Sequence, residues 1–164
     1  WKPYDSRRKS YGNFLAKYIN LDIFNFCMKI KYYIDTCIWR DYYENRSDKF
    51  RPLGEWALFL LNKIKANNEE IIISDFLIYE LSLFLTKEEM RKLFEPYEKN
   101  IIMVGSSTEH NHLAREYSLK YSLPKPNALH LVLALEQGAI LVTRDSHFLN
   151  VSDLIVIKKP EDLI

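Results

Sequence analysis

Cysteine is scarce, charge is balanced and long apolar runs are missing, and each of these removes a class of protein. Only Cys27 and Cys37 occur. Both stand in apolar or aromatic sequence without partners at metal-ligand spacing, so reduced, buried thiols of a cytosolic protein are expected over a structural disulfide. The net charge is +1, from 23 basic and 22 acidic residues. That balance gives no global electrostatic footprint of a DNA-coating protein, and any nucleic-acid contact must rest on local patches. No run approaches the roughly 20 apolar residues of a membrane helix, and the start Trp1 to Lys9 lacks the apolar core of a signal peptide. A cytoplasmic location with no membrane partner is expected. Internal repeats and low-complexity segments are absent, as is any Ser/His/Asp or Cys/His constellation for nucleophilic catalysis.

What is present is a chain of 164 residues, 48% hydrophobic and 27% charged, enough apolar material for one domain with its own core. Residues 1–27 differ from the rest. They are basic and aromatic (Arg7, Arg8, Lys9, Tyr11, Phe14, Tyr18) and end just before Met28, which stands immediately ahead of the first strand. They are read as an N-terminal extension upstream of a start at Met28, with a surface helix of the same domain as the competing reading. The domain proper is then 28–164.

Along that domain, short β-branched or aromatic runs alternate with helical periodicity. Strands are expected at Tyr32 to Ile34, Ile71 to Ser74, Ile101 to Val104, Ala139 to Thr143 and Leu154 to Ile157. Between them come a short helix at Trp39 to Asn45 and an amphipathic helix at Leu53 to Lys65. A helix capped by Ser74 or Asp75 runs to about Leu85, apolar almost all round, and a fourth starts from a Thr86/Glu89 capping box. A fifth covers Ser107 to Tyr121, with Leu113, Ala114 and Tyr117 inward. A buried helix starts at Asn127 and is stopped by Gly138. Alternation of this kind implies βαβ units and a parallel sheet with helices on both sides.

Two strands end in an acid. Asp35 follows Tyr32 to Ile34, and Asp145 follows the Ala139 to Thr143 run, so both carboxylates are delivered to the same sheet edge, where ligands of open α/β sheets bind. Asp35 alone reads as a helix cap; the second copy is what favours a site. Glu80 is a carboxylate inside a largely apolar helix, costly there unless paired with a cation or a metal.

Four motifs occur in order: Ile-Asp-Thr-Cys-Ile-Trp at 34–39, Ile-Ser-Asp-Phe-Leu-Ile-Tyr-Glu-Leu at 73–81, Leu-Pro-Lys-Pro-Asn-Ala-Leu-His-Leu-Val-Leu-Ala at 123–134, and Leu-Val-Thr-Arg-Asp-Ser-His-Phe at 141–148. Together they resemble the PIN domain, the nuclease family that includes the VapC toxins, over about residues 29–160. The resemblance implies a PIN-like three-layer α/β/α sandwich with a central parallel β-sheet. It further implies an endoribonuclease that hydrolyses RNA phosphodiester bonds with Mg²⁺ or Mn²⁺, held by Asp35, Glu80 and Asp145, with Thr143 as a supporting hydroxyl. A small antitoxin protein and a homodimer are the partners it implies. Carboxylate oxygens suit hard cations, and Mg²⁺ keeps several waters, so few protein ligands suffice.

One position departs from the pattern: Asn127 stands where the family usually carries Asp. Its amide oxygen can still reach a cation, but one negative charge is missing. It marks a member of reduced activity that serves as an RNA- or protein-binding module, a member whose other acids hold the metal, or an engineered change. Arg40, Arg46, Lys49 and Arg51 are candidates for phosphate contacts, Lys120 and Lys125 flank the Asn127 loop, and Arg144 is suited to a carboxylate or a phosphate. His130, on the buried helix, reads as a satisfied core residue. His110 and His112, two apart, do not share a helix face, which argues against a zinc site.

Overall fold

The computed structural model describes residues 29–164. The extension at 1–27, Cys27 and the start at Met28 lie outside the described residues. Five strands form one all-parallel sheet: β1 (Lys31–Ile34), β2 (Glu70–Ser74), β3 (Ile101–Val104), β4 (Ile140–Val142) and β5 (Ile157–Lys158), in the order β3-β2-β1-β4-β5. The strands are short and rich in β-branched residues because both of their faces are covered.

Alternate residues feed two separate cores, as strand geometry requires. Tyr32, Ile34, Ile71, Ile73 and Val142 join the core under α1 (Thr36–Glu44), α2 (Leu53–Ala66), α3 (Asp75–Ser82) and α4 (Lys87–Phe94). Tyr33, Ile72 and Leu141 join the opposite core under α5 (Thr108–Tyr121) and α6 (Lys125–Glu136). The result is the expected α/β/α sandwich. Among the described residues, no helix is long and apolar enough to cross a membrane.

Local signals set the helix ends. The Ser74 hydroxyl accepts from the Leu77 N–H at 3.0 Å and starts α3, and Thr86 with Glu89 closes the capping box of α4. Pro126 lies in the first turn of α6, where its missing N–H costs nothing. Gly138 takes φ +60° just beyond that helix, a conformation that favours glycine.

Three expectations need correction. First, α3 ends at Ser82, and only Leu77 and Leu81 of it are buried; Tyr79 and Leu83 are 59% and 68% exposed, so this helix covers the sheet with one stripe only. Second, β5 is confined to Ile157–Lys158, because the Leu154 N–H bonds back to the Val151 carbonyl at 2.9 Å and closes a turn instead of a ladder. Third, Leu113 is exposed, while Ala114 and Tyr117 face the core as expected.

The start of α2 touches the end of α1 through a glycine. The Gly54 N–H donates to the Arg46 carbonyl at 2.8 Å, and a Cβ at this position would stand 2.7 Å from the Asn45 Cα and the Asp41 carbonyl oxygen. Gly54→Ala is therefore expected to push the two helices apart and lower stability by about 1–3 kcal/mol. Urea unfolding checks this, and an unchanged midpoint contradicts the close approach.

Candidate functional site

Sheet topology creates the site. From β1 the order runs outward to β2 and β3 on one side and to β4 and β5 on the other, so the carboxyl ends of β1 and β4 flank the point where the order reverses, the ligand crevice of such sheets. Register delivers the acids there. Ile34 pairs with Val142, and the ladder extends one step, the Asp35 N–H donating to the Val142 carbonyl at 3.0 Å.

Asp35 is the N-cap residue of α1, yet its carboxylate makes no capping bond. Instead Oδ2 accepts from the Thr143 hydroxyl at 2.6 Å and from the Cys37 thiol at 3.2 Å. Capping, the ordinary reason for an aspartate here, does not explain it. Thr143 bridges the two acidic strand ends: its hydroxyl donates to Asp35 and accepts the Asp145 backbone N–H at 3.0 Å. It is itself tied to β5 through its N–H to the Lys158 carbonyl, 3.0 Å.

Glu80, from the middle of α3, reaches the same place. Its Oε2 accepts from the Thr36 hydroxyl and from His130 Nε2, the latter at 2.8 Å. Burial pushes this carboxyl up, but the bonds from His130 and Thr36 outweigh it and hold it below the ordinary glutamate value. Asp145 behaves alike. Burial raises it, while the His147 N–H and the Asn127 amide bring it below the usual aspartate range. Its Oδ1 accepts the His147 N–H at 2.9 Å, and its Oδ2 accepts from Asn127 Nδ2 at 2.7 Å.

Asp35, Glu80, Asn127 and Asp145 thus line one open cleft of about 410 Å³, together with Thr36, Cys37, Arg40, Phe84 and His130. Thr143 supports it from beneath, buried. Each wall comes from a different part of the chain. A larger recess of about 510 Å³ at the β3 edge is lined by Ile73, Phe94, Ile101 and Met103; its cation, Arg91, is already paired with Glu88 and Glu95.

The donor set of the acidic cleft is oxygen-rich and fits a hard divalent cation. Among the described residues no three His, Cys, Asp or Glu side chains close into a ligand cluster. An open, carboxylate-lined cleft of this kind suits a cation that keeps much of its water, as Mg²⁺ does.

The cationic candidates divide. Arg40 lines the cleft, its guanidinium 4.7 Å from the Phe84 ring and its Nε 3.0 Å from Glu44 Oε1. Arg46 turns to Asp41 and Glu44, Arg51 to Asp48, and Lys120 lies over the Tyr121 ring. Arg144 pairs with carboxylates, Nε to Asp41 at 2.8 Å and Nη1 to Glu161 at 2.7 Å. His110 bonds Ser107 and Glu136, and His112 pairs with Glu116.

Three residues play parts that their sequence context had not suggested. Among the described residues Cys37 has no disulfide partner and packs against the apolar core, but its thiol also donates to Asp35: burial and the Asp35 charge together push it far up. His130 is buried as expected, but as a partner of Glu80; its i, i+3 spacing from Asn127 was the available signal, since that spacing shares a helix face. Asp41 is buried beneath Arg144, a pairing across about a hundred residues that no local pattern announces.

The family model described as "PIN domain" matches residues 32–154. No curated protein matches the sequence. Among solved structures, a toxin–antitoxin complex from Klebsiella pneumoniae is similar at a TM-score of 0.58 and 18% identity, over 78% of this chain and 96% of that one. VapBC2 from Rickettsia felis, bound to a DNA fragment from its promoter, gives a TM-score of 0.58 at 16% identity, over 79% and 98%. FitAcB from Neisseria gonorrhoeae gives 0.54 at 13% identity, over 80% and 99%. At these identities the likeness is one of fold.

Because Glu80 and Asp145 both titrate below their ordinary values, their bonds contribute stability that is complete above the unfolded-chain values near 4 and is lost as pH falls through the lower folded-state values. In chelator-treated protein the urea midpoint is expected to fall between about pH 5 and pH 3, less steeply in Glu80→Gln. Equal slopes for the two proteins contradict the assignment.

Proposed function

The chain belongs to the PIN domain family, and from that premise we propose that it is a divalent-metal-dependent endoribonuclease, the toxin of a VapBC-type toxin–antitoxin pair. One observation carries the reading: Asp35, Glu80, Asp145 and Asn127, drawn from four separate elements, converge in one cleft at the carboxyl ends of β1 and β4.

In this reading the three carboxylates and the Asn127 amide oxygen hold Mg²⁺ or Mn²⁺. The cation, when bound, offsets charge on the phosphodiester and makes water acidic enough to supply the nucleophile. The chain's own residues arrange the reaction. Asp35 is held by Thr143, Glu80 by Thr36 and His130, and Asp145 by Asn127 and the His147 N–H. Arg40 at the rim is suited to a backbone phosphate. The likeness to the Klebsiella toxin–antitoxin complex and to VapBC2 from Rickettsia supports a small antitoxin as partner. A homodimer, a cytoplasmic location and an extension at 1–27 ahead of the nuclease domain complete the proposal.

A second reading has its own support. The Asn127 amide donates to Asp145 at 2.7 Å, where an aspartate would set two carboxylates against each other. The bond occupies one Asp145 oxygen with a neutral donor and favours a weakened PIN domain that binds RNA or protein.

Cleavage of a mixed RNA pool with Mg²⁺ or Mn²⁺ separates the two. Asn127→Asp is expected to bind the cation more tightly and cleave faster than the parent chain, with EDTA abolishing cleavage and Asp35→Ala inactive. No cleavage by any of the three proteins under either cation contradicts the nuclease and leaves the binding module.

A further inference from the structure

Glu80 is fixed by a circuit of side chains that begins and ends on its own helix. Ser74, the cap of α3, accepts the Leu77 N–H at 3.0 Å. Its hydroxyl lies 2.7 Å from the Tyr33 hydroxyl, which lies 2.9 Å from His130 Nδ1, and His130 Nε2 lies 2.8 Å from Glu80 Oε2. A carboxylate only accepts, so Nε2 carries the proton; in the neutral ring Nδ1 then accepts from Tyr33, and Tyr33 accepts from Ser74. With that tautomer every hydrogen bond in the series runs towards the cleft.

The circuit is buried. Ser74 and Tyr33 are fully buried and His130 nearly so. The imidazole is wedged between the rings of Phe76, at 4.9 Å, and Tyr33, at 5.6 Å. Glu80 alone would be free to swing, since α3 presents much of its surface to solvent. A glutamate carboxylate has three side-chain torsions to order, and the circuit together with Thr36 orders it. His130 Nε2 is also 3.9 Å from Asp35 Oδ1, so the same N–H eases the approach of two carboxylates.

We propose that His130 is a positioning residue of the acidic cleft, acting through Glu80, and that Tyr33, which belongs to the core beneath α5 and α6, acts on the cleft through His130. This rests on the reading of Glu80 as a cation ligand. Partners of that kind, bonded to a ligand and not to the ion, change metal affinity by about 10–100-fold when lost.

The test is Mn²⁺ calorimetry on the full chain. His130→Leu is expected to weaken Mn²⁺ binding by about 10-fold or more, His130→Gln to retain most of the affinity, and Tyr33→Phe to lose part of it. Glu80→Gln combined with Tyr33→Phe should bind no more weakly than Glu80→Gln alone, a non-additivity that a merely structural role would not produce. If His130→Leu does not fold, the His130→Gln and Tyr33→Phe results decide. Parental affinity in Tyr33→Phe, or an additive double variant, overturns the proposal and leaves the acidic site intact. Parental affinity in Glu80→Gln overturns the ligand reading of Glu80 and the proposal with it.

Discussion

Bringing three carboxylates together at one sheet edge is the constraint on which the rest of this structure turns. Like charges a few ångströms apart repel and raise one another's proton affinity. Here each acid is held by donors of the protein itself: Thr143 and Cys37 on Asp35, Thr36 and His130 on Glu80, Asn127 and His147 on Asp145. The hydroxyl, imidazole and amide groups do not cancel the negative field. They fix its direction, so that the oxygens face one cleft, and Asn127 donates to Asp145 where an aspartate would add a further charge.

The scaffold supplies the donors from both sides of the sheet. Thr36 opens α1 just beyond Asp35, Glu80 comes from α3 on one face, and Asn127 and His130 come from α6 on the other. A parallel sheet makes this meeting possible because all its strands end at the same edge, and the register of β1 against β4 sets Asp35 beside Thr143. Behind the Asp145 loop, Arg144 ties buried Asp41 on α1 to Glu161 near the C-terminal end. Buried charges of this kind are tolerated only when paired, and this pairing anchors the loop without entering the cleft.

Much of this was legible along the chain. Short apolar runs alternating with helical periods announced the sandwich, and an acid at the end of each of two strands announced the edge that carries the site. Thr86, Glu89 and Gly138 marked helix ends through local chemistry, which sequence records directly. Less legible were features decided by distant packing. Leu83 looks like a core residue and is exposed, because the α3 segment covers the sheet with one stripe. Leu154 looks like strand and is turned by a local bond. The parts of Asp41 and His130 depend on Arg144 and Glu80, far off in the chain, and hydrophobicity alone could only call His130 buried.

The most direct measurement is anomalous diffraction at the manganese edge from crystals grown with Mn²⁺. The account predicts a peak in the cleft among Asp35, Glu80, Asn127 and Asp145, lost in Asp35→Ala crystals. A peak elsewhere, or none in the cleft at Mn²⁺ concentrations that saturate binding in solution, would contradict it.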